Sequence, residues 1–173
     1  HNLKFVNNQA LPYNFSKIDL VIRFYIFVYY IKTNLIKIVL LDMKVGIIGS
    51  GHIVSSVHLP LLSCIDNVNI EFIADRTNPL KLANLYKTKS IKIENISNLP
   101  SCDIVLLAIP MSVKGKYIQE FAKRDCFIFT EKPFATNLEE HKNFLKLTDK
   151  ITCNYMRNYY NTTRHAKNII SSE

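Results

Sequence analysis

The chain has 173 residues, 48% of them apolar, and its 22 Lys+Arg against 14 Asp+Glu leave a net charge of +8. That length suits one domain with a sizeable core, and the basic surplus raises nucleic acid as a partner. The basic residues are scattered, however, with no run longer than Lys123-Arg124 and no nucleic-acid motif beside them. A lysine-rich surface is therefore expected, and nucleic acid is not.

Residues 1–42 read as a leader or upstream appendage. They begin at His1 and hold an aromatic-aliphatic stretch, Ile18 to Leu41, interrupted by Asp19, Arg23, Lys32 and Lys37. Its longest charge-free piece, Phe24 to Ile31, falls well short of the roughly 20 apolar residues of a bilayer span. The apolar part starts late and no small-residue cleavage site follows, which argues against a signal peptide. A membrane-surface helix is the weaker alternative to an appendage, and no membrane partner is expected. The domain proper is expected to open at Met43.

From Met43 short apolar runs alternate with amphipathic segments. The first run, Lys44–Ile48, is apolar and β-branched, as in a buried parallel strand. It leads into Gly49-Ser50-Gly51 and then a helical segment, His52–Cys64. A second strand is expected at Asn69–Ala74, then a helix over Pro79–Lys87 that Asp75 or Asn78 can cap. A weaker strand at Ser90–Ile93 precedes one at Asp103–Ile109. The helix Val113–Lys123 sets Tyr117 and Phe121 on one face for core packing. A strand at Cys126–Phe129 follows, then a helix over Leu138–Leu147. Asn137 caps that helix, and Glu139 and Glu140 complement its dipole. A strand at Ile151–Cys153 and a helix at Asn161–Ile170, with His165 on its surface, complete the pattern. Such alternation implies an α/β fold with a doubly wound, mostly parallel sheet joined by right-handed crossovers.

The four cysteines, Cys64, Cys102, Cys126 and Cys153, form no C-x-x-C pair, so no metal is expected. Reduced thiols in a cytoplasmic protein follow, with Cys126 and Cys153 as small core residues.

Three of the four glycines, Gly46, Gly49 and Gly51, fall at the end of the first run. A strand, a G-x-G turn and a helix together form a dinucleotide-binding element. The first glycine permits a tight turn, and the second lets a diphosphate approach main-chain N–H groups at a positive helix end. The candidate cradle is Gly49, Ser50, Gly51, His52 and Ile53. Val54 replaces the third glycine of the full fingerprint, which implies a wider approach of helix to strand or a small neighbour.

Asp75 closes the second run, where a carboxylate accepts hydrogen bonds from both adenosine ribose hydroxyls and favours NAD over NADP. The adjoining Arg76 suits stacking on adenine or holding a 2′-phosphate, which keeps NADP open. Ala108-Ile109-Pro110 turns the chain away at the end of a central strand, where open α/β sheets bind ligands. Glu131-Lys132-Pro133 leaves the next strand at the same edge. A lysine in that cleft can donate to a substrate hydroxyl, and burial would lower its pKa towards proton transfer. A solvated ion pair is the alternative reading of that tripeptide.

These motifs occur in one order: Val45-Gly46-Ile47-Ile48-Gly49-Ser50-Gly51, His58-Leu59-Pro60, Ala74-Asp75-Arg76, Ala108-Ile109-Pro110, Glu131-Lys132-Pro133 and Asn154-Tyr155-Met156-Arg157. From Met43 to about Ile170 the chain thereby resembles the glucose–fructose oxidoreductase/inositol dehydrogenase (Gfo/Idh/MocA) family. The resemblance implies an NAD- or NADP-binding Rossmann domain over residues 43–155 and, over 156–173, the stub of a truncated C-terminal α/β domain. It implies hydride transfer at a sugar, polyol or nucleotide-sugar carbon. Lys132 would contact the substrate hydroxyl and nicotinamide ribose, with Glu131 orienting it, and both would line the cofactor site as catalytic residues. A homo-oligomer would form through the second domain of the full-length parent. Two departures stand out: Lys114 where many members carry histidine, and Asn158 where a second arginine is common. The rival expectation is a truncated, non-catalytic nucleotide-binding module or remnant.

Overall fold

The structure, a computed structural model, describes residues 42–155 and 160–171. Residues 1–41 of the expected leader, together with Met156, Arg157 and Asn158, lie outside these residues. Six strands form one sheet: β1 (Met43–Ile48), β2 (Val68–Asp75), β3 (Lys89–Lys92), β4 (Ile104–Leu107), β5 (Phe127–Thr130) and β6 (Ile151–Cys153). The helices are α1 (Leu59–Leu62), α2 (Leu80–Leu85), α3 (Met111–Lys123), α4 (Leu138–Leu147) and α5 (Asn161–Ser171). A π-helical turn, Val54–His58, runs directly into α1, and a 3-10 turn, Ile96–Asn98, precedes β4.

All five strand pairings are parallel, in the order β3-β2-β1-β4-β5-β6. That order reverses direction between β1 and β4, the switch point at which doubly wound sheets open a crevice beyond their carboxyl ends. Both faces are covered, as a parallel sheet requires. Ile104 and Leu106 of β4 join Val54, Leu59, Leu62 and Ala83 in one apolar cluster. Val105 and Leu107 join Tyr117, Ile118, Phe121 and Phe144 in the other. Tyr117 and Phe121 thus occupy the core positions their spacing predicts.

The glycines divide by role. A Cβ at Gly46 would overlap the Phe72 ring, so this mid-strand glycine makes room for a core aromatic of β2. Gly49 has φ +101°, and a Cβ there would overlap the Ala108 carbonyl. Gly51 is exposed and a Cβ there would meet nothing within 4 Å.

Several boundaries differ from expectation. The segment expected as one helix over His52–Cys64 carries the π-helical turn instead of regular α geometry. The Leu59 N–H reaches back five residues to the Val54 carbonyl. Pro60 supplies a reason, because its ring would strike the Ser56 carbonyl in a regular α-helix. The wide turn also begins at Val54, the residue in place of the third glycine, and Val54 is fully buried. The strand expected to reach Ile109 ends at Leu107. The Ala108 N–H still donates to the Ile48 carbonyl at 2.9 Å, and Pro110 then starts α3. Neither Asp75 nor Asn78 caps α2, whose N-cap residue is Pro79 with no side-chain cap. Asn137 does cap α4, accepting from the Glu140 N–H at 2.9 Å, while Glu140 Oε2 accepts from the Thr136 N–H at 2.7 Å.

Replacing Gly49 by alanine combines a positive φ with a backbone overlap, so Gly49→Ala should destabilise the fold by about 2–4 kcal/mol. Urea unfolding of both proteins measures this. A loss below about 0.5 kcal/mol would show that the turn tolerates a side chain.

Candidate functional site

The carboxyl end of the sheet holds two polar clusters. The first lies between β1 and β2. Asp75 Oδ2 accepts from the Ser50 N–H and from Ser50 Oγ, each at 2.7 Å, and Oδ1 accepts from the Thr77 N–H at 3.4 Å. Partial burial raises the Asp75 pKa, but the Ser50 hydroxyl and the Ser50, Thr77 and Arg76 N–H groups outweigh it, and the net shift is downward. The carboxylate is therefore anionic and held against the glycine turn.

This arrangement corrects the picture of a wholly bare cradle. The Gly49 N–H donates to the Ala74 carbonyl at 2.8 Å and the Ser50 N–H is taken by Asp75, so both are spent within the protein. What remains is the exposed stretch Gly51, His52 and Ile53. His52 and Ile53 open the helical run, so their N–H groups have no carbonyl four residues back within it. Arg76 is exposed beside Asp75. Ala108 and Ile109 are half-buried and Pro110 is exposed across the switch point.

The second cluster gathers around Glu131. Its N–H donates to the Leu107 carbonyl at 2.9 Å, fixing the first residue after β5 against β4. Its carboxylate turns inward: Oε1 lies 2.7 Å from His58 Nε2 and accepts from Asn154 Nδ2 at 2.8 Å. Oε2 accepts from the Lys132 N–H at 3.3 Å. Burial raises the Glu131 pKa, but hydrogen bonds from His58 and Asn154, the electrostatic pull of His58 and the Lys132 N–H together lower it. Three elements therefore meet at one carboxylate: the π-helical turn, the end of β5 and the residue after β6.

Lys114 of α3 holds the same loop from beneath. Its side chain is 1% exposed. Nζ donates to the Glu131 carbonyl at 2.5 Å and to the Pro133 carbonyl at 2.6 Å, on either side of Lys132. Burial depresses the Lys114 pKa, against the upward pull of Cys153, Glu131 and Glu140. Lys132 itself is exposed. The resemblance has Glu131 orienting Lys132; here the Glu131 carboxylate contacts the Lys132 main chain, and Lys114 brackets it through two carbonyls.

Three residues of this cluster had no role assigned from the sequence. Lys114 stood out only as a departure, and His58 and Asn154 only as parts of motifs. A signal was present for two of them. Lys114 shares the 114, 117, 118, 121 face with Tyr117, Ile118 and Phe121, where a charge must find buried partners. His58 likewise falls four residues after Val54 and four before Leu62. Cys126 is buried at 3% exposure, as expected of a core residue, whereas Cys153 is only half-buried. Burial pushes the Cys153 thiol up to about 11. His165 is exposed on α5. Among the described residues there is no cluster suited to a metal ion, and no helix is long and apolar enough to cross a membrane.

Comparison with known proteins gives three results. A family model described as "Oxidoreductase family, NAD-binding Rossmann fold" matches residues 43–159. No curated protein sequence matches. Among solved structures, the chain is similar to KijD10, a 3-ketoreductase from Actinomadura kijaniata in complex with TDP-benzene and NADP (16% identity, TM-score 0.65, covering 76% of this chain and 44% of that one). It is similar to scyllo-inositol dehydrogenase from Lactobacillus casei with bound NAD(H) and scyllo-inositol (16%, 0.64, 76% and 41%). It is also similar to the putative oxidoreductase yvaA from Bacillus subtilis (21%, 0.63, 76% and 40%). The chain spans less than half the length of each, and at these identities the likeness shows a shared fold.

Because the folded Glu131 pKa lies below its ordinary 4.5, its ionised form stabilises the fold above that value. That contribution is lost as pH falls through the lower folded pKa. Urea unfolding of the wild type and Glu131→Gln between about pH 7 and pH 3 should show a stability gap that shrinks below about pH 4.5. A gap independent of pH would mean that the carboxylate's charge contributes nothing.

Proposed function

This chain belongs to the Gfo/Idh/MocA oxidoreductase family, and from that premise we propose that Gly49–Ile53 seats the diphosphate of a pyridine dinucleotide. The observation that carries the reading is the bare backbone at Gly51. The glycine is exposed at the sheet's switch point, with open space where a Cβ would stand. A diphosphate can approach Gly51 and the N–H groups of His52 and Ile53 without displacing a side chain. Gly49 and Ser50 contribute shape, since their own N–H groups are already bonded.

Asp75 receives the adenosine ribose hydroxyls. Its anionic carboxylate, fixed by Ser50, would repel a 2′-phosphate, which favours NAD over NADP. Arg76 offers adenine a stacking surface. Ala108, Ile109 and Pro110 wall the crevice on the β4 side.

When bound, the nicotinamide ring accepts or returns the hydride. The protein's part falls to Lys132, whose ammonium donates to the substrate oxygen and stabilises the charge that develops there. Glu131 and Lys114 are positioning residues, since they grip the main chain on both sides of Lys132. The substrate class that fits is a sugar, polyol or nucleotide-sugar. A ketoreductase crystallised with TDP-benzene and NADP and an inositol dehydrogenase with NAD(H) share this fold, which supports that class.

Calorimetric titration of the full chain tests the reading. NADH should bind, and NADPH should bind at least about tenfold more weakly, with Asp75→Ala narrowing that gap. Gly51→Trp should abolish binding, whereas Lys132→Ala should keep NADH affinity within about twofold of wild type. No heat with either nucleotide on folded protein would overturn the proposal.

A further inference from the structure

A pair of thiols lies at the opposite, amino-terminal end of the sheet from the nucleotide site. Cys102 comes just before β4 and Cys126 just before β5. The register pairs Ile104 with Phe127, and the Phe127 N–H donates to the Asp103 carbonyl at 3.0 Å, so the two cysteines precede strand starts that are bonded to each other. Their sulfurs are 3.8 Å apart.

The two thiols differ in environment. Cys126 is 3% exposed, and its sulfur also contacts the Asp103 carbonyl at 3.5 Å. Cys102 is only half-buried and lies against Gly46, where no side chain intervenes. The hydrogen bond from Cys126 lowers the Cys102 pKa against the cost of burial, helped by the Gly46 N–H and Arg124 and opposed by Asp103. The same hydrogen bond and burial push the Cys126 thiol up. Cys102 is the more accessible of the two sulfurs, so a soluble oxidant reaches it first.

We propose that Cys102 and Cys126 form a reversible disulfide when the chain meets a peroxide. The Cys102 thiolate attacks one peroxide oxygen, the O–O bond breaks, and the released hydroxide leaves as water after taking a proton from solvent. The product is a Cys102 sulfenic acid. The Cys126 sulfur then attacks the Cys102 sulfur, forming S–S and breaking S–O, and the departing hydroxide leaves as water with the Cys126 proton. Two thiols are oxidised by two electrons and one peroxide is reduced to two waters. The bond would tie the starts of β4 and β5 and enclose α3 in a covalent loop. It requires nothing of the nucleotide site.

The reduced full chain, treated with one equivalent of hydrogen peroxide and digested without reductant, tests this by mass spectrometry. The expected product is a cross-linked pair of peptides containing Cys102 and Cys126, about 2 Da lighter than the two free thiols and released by dithiothreitol. The oxidised chain should melt at least about 5 °C above the reduced chain, and Cys102→Ser and Cys126→Ser should each lose that rise. The exposed Cys64 serves as internal control. Oxidation of Cys64 while Cys102 and Cys126 remain thiols would overturn the proposal. So would Cys102 stopping at sulfenic or sulfinic acid beside an unreacted Cys126.

Discussion

The close approach of β1 and β4 at the switch point constrains everything built on this sheet. Gly49 turns out of β1 at a positive φ directly against the Ala108 carbonyl, where no Cβ fits. Beyond that contact the glycine turn and the Ala108–Pro110 segment lie at the carboxyl ends of adjacent strands on the two sides of the switch point, where doubly wound sheets bind ligands. The same turn sends the chain into the helical run that carries His58 to Glu131. One backbone geometry therefore sets both the bare stretch at Gly51 and the reach of the histidine that anchors the second cluster.

That second cluster solves an electrostatic problem. Glu131 and Lys114 bring opposite charges to the edge of an apolar core, and neither would be tolerated there alone. Glu131 is satisfied by His58, Asn154 and the Lys132 N–H, and Lys114 by two carbonyls. Leaving either carbonyl without its donor would cost about 1–3 kcal/mol, comparable to a tenth or more of a domain's whole stability. These interactions stiffen the main chain on both sides of Lys132 while its side chain stays exposed. A loop held by its backbone with an exposed ammonium at its tip suits the contact of a lysine with a ligand oxygen.

The first cluster works differently. Asp75 uses one carboxylate oxygen to bind both donors of Ser50. The acid that would read the ribose is thereby also a brace for the glycine turn, and the two tasks share one ionised group.

Much of this was legible in the amino-acid order because the signals are local. Alternating apolar runs and amphipathic segments fix a parallel α/β sheet, the glycine spacing fixes the turn after β1, and Asn137 fixes the start of α4. The ordered motifs also placed the chain in its family. Contacts between residues distant in sequence were not legible in the same way. Asp75 reads equally as a helix cap until β1 and β2 pair and bring Ser50 to it. The grip of Lys114 on the loop around Lys132 spans separate elements, and so does the meeting of His58 and Asn154 on Glu131. A helical face can show that a buried charge needs partners, but only the packed sheet decides which backbone and side-chain groups come within hydrogen-bonding reach.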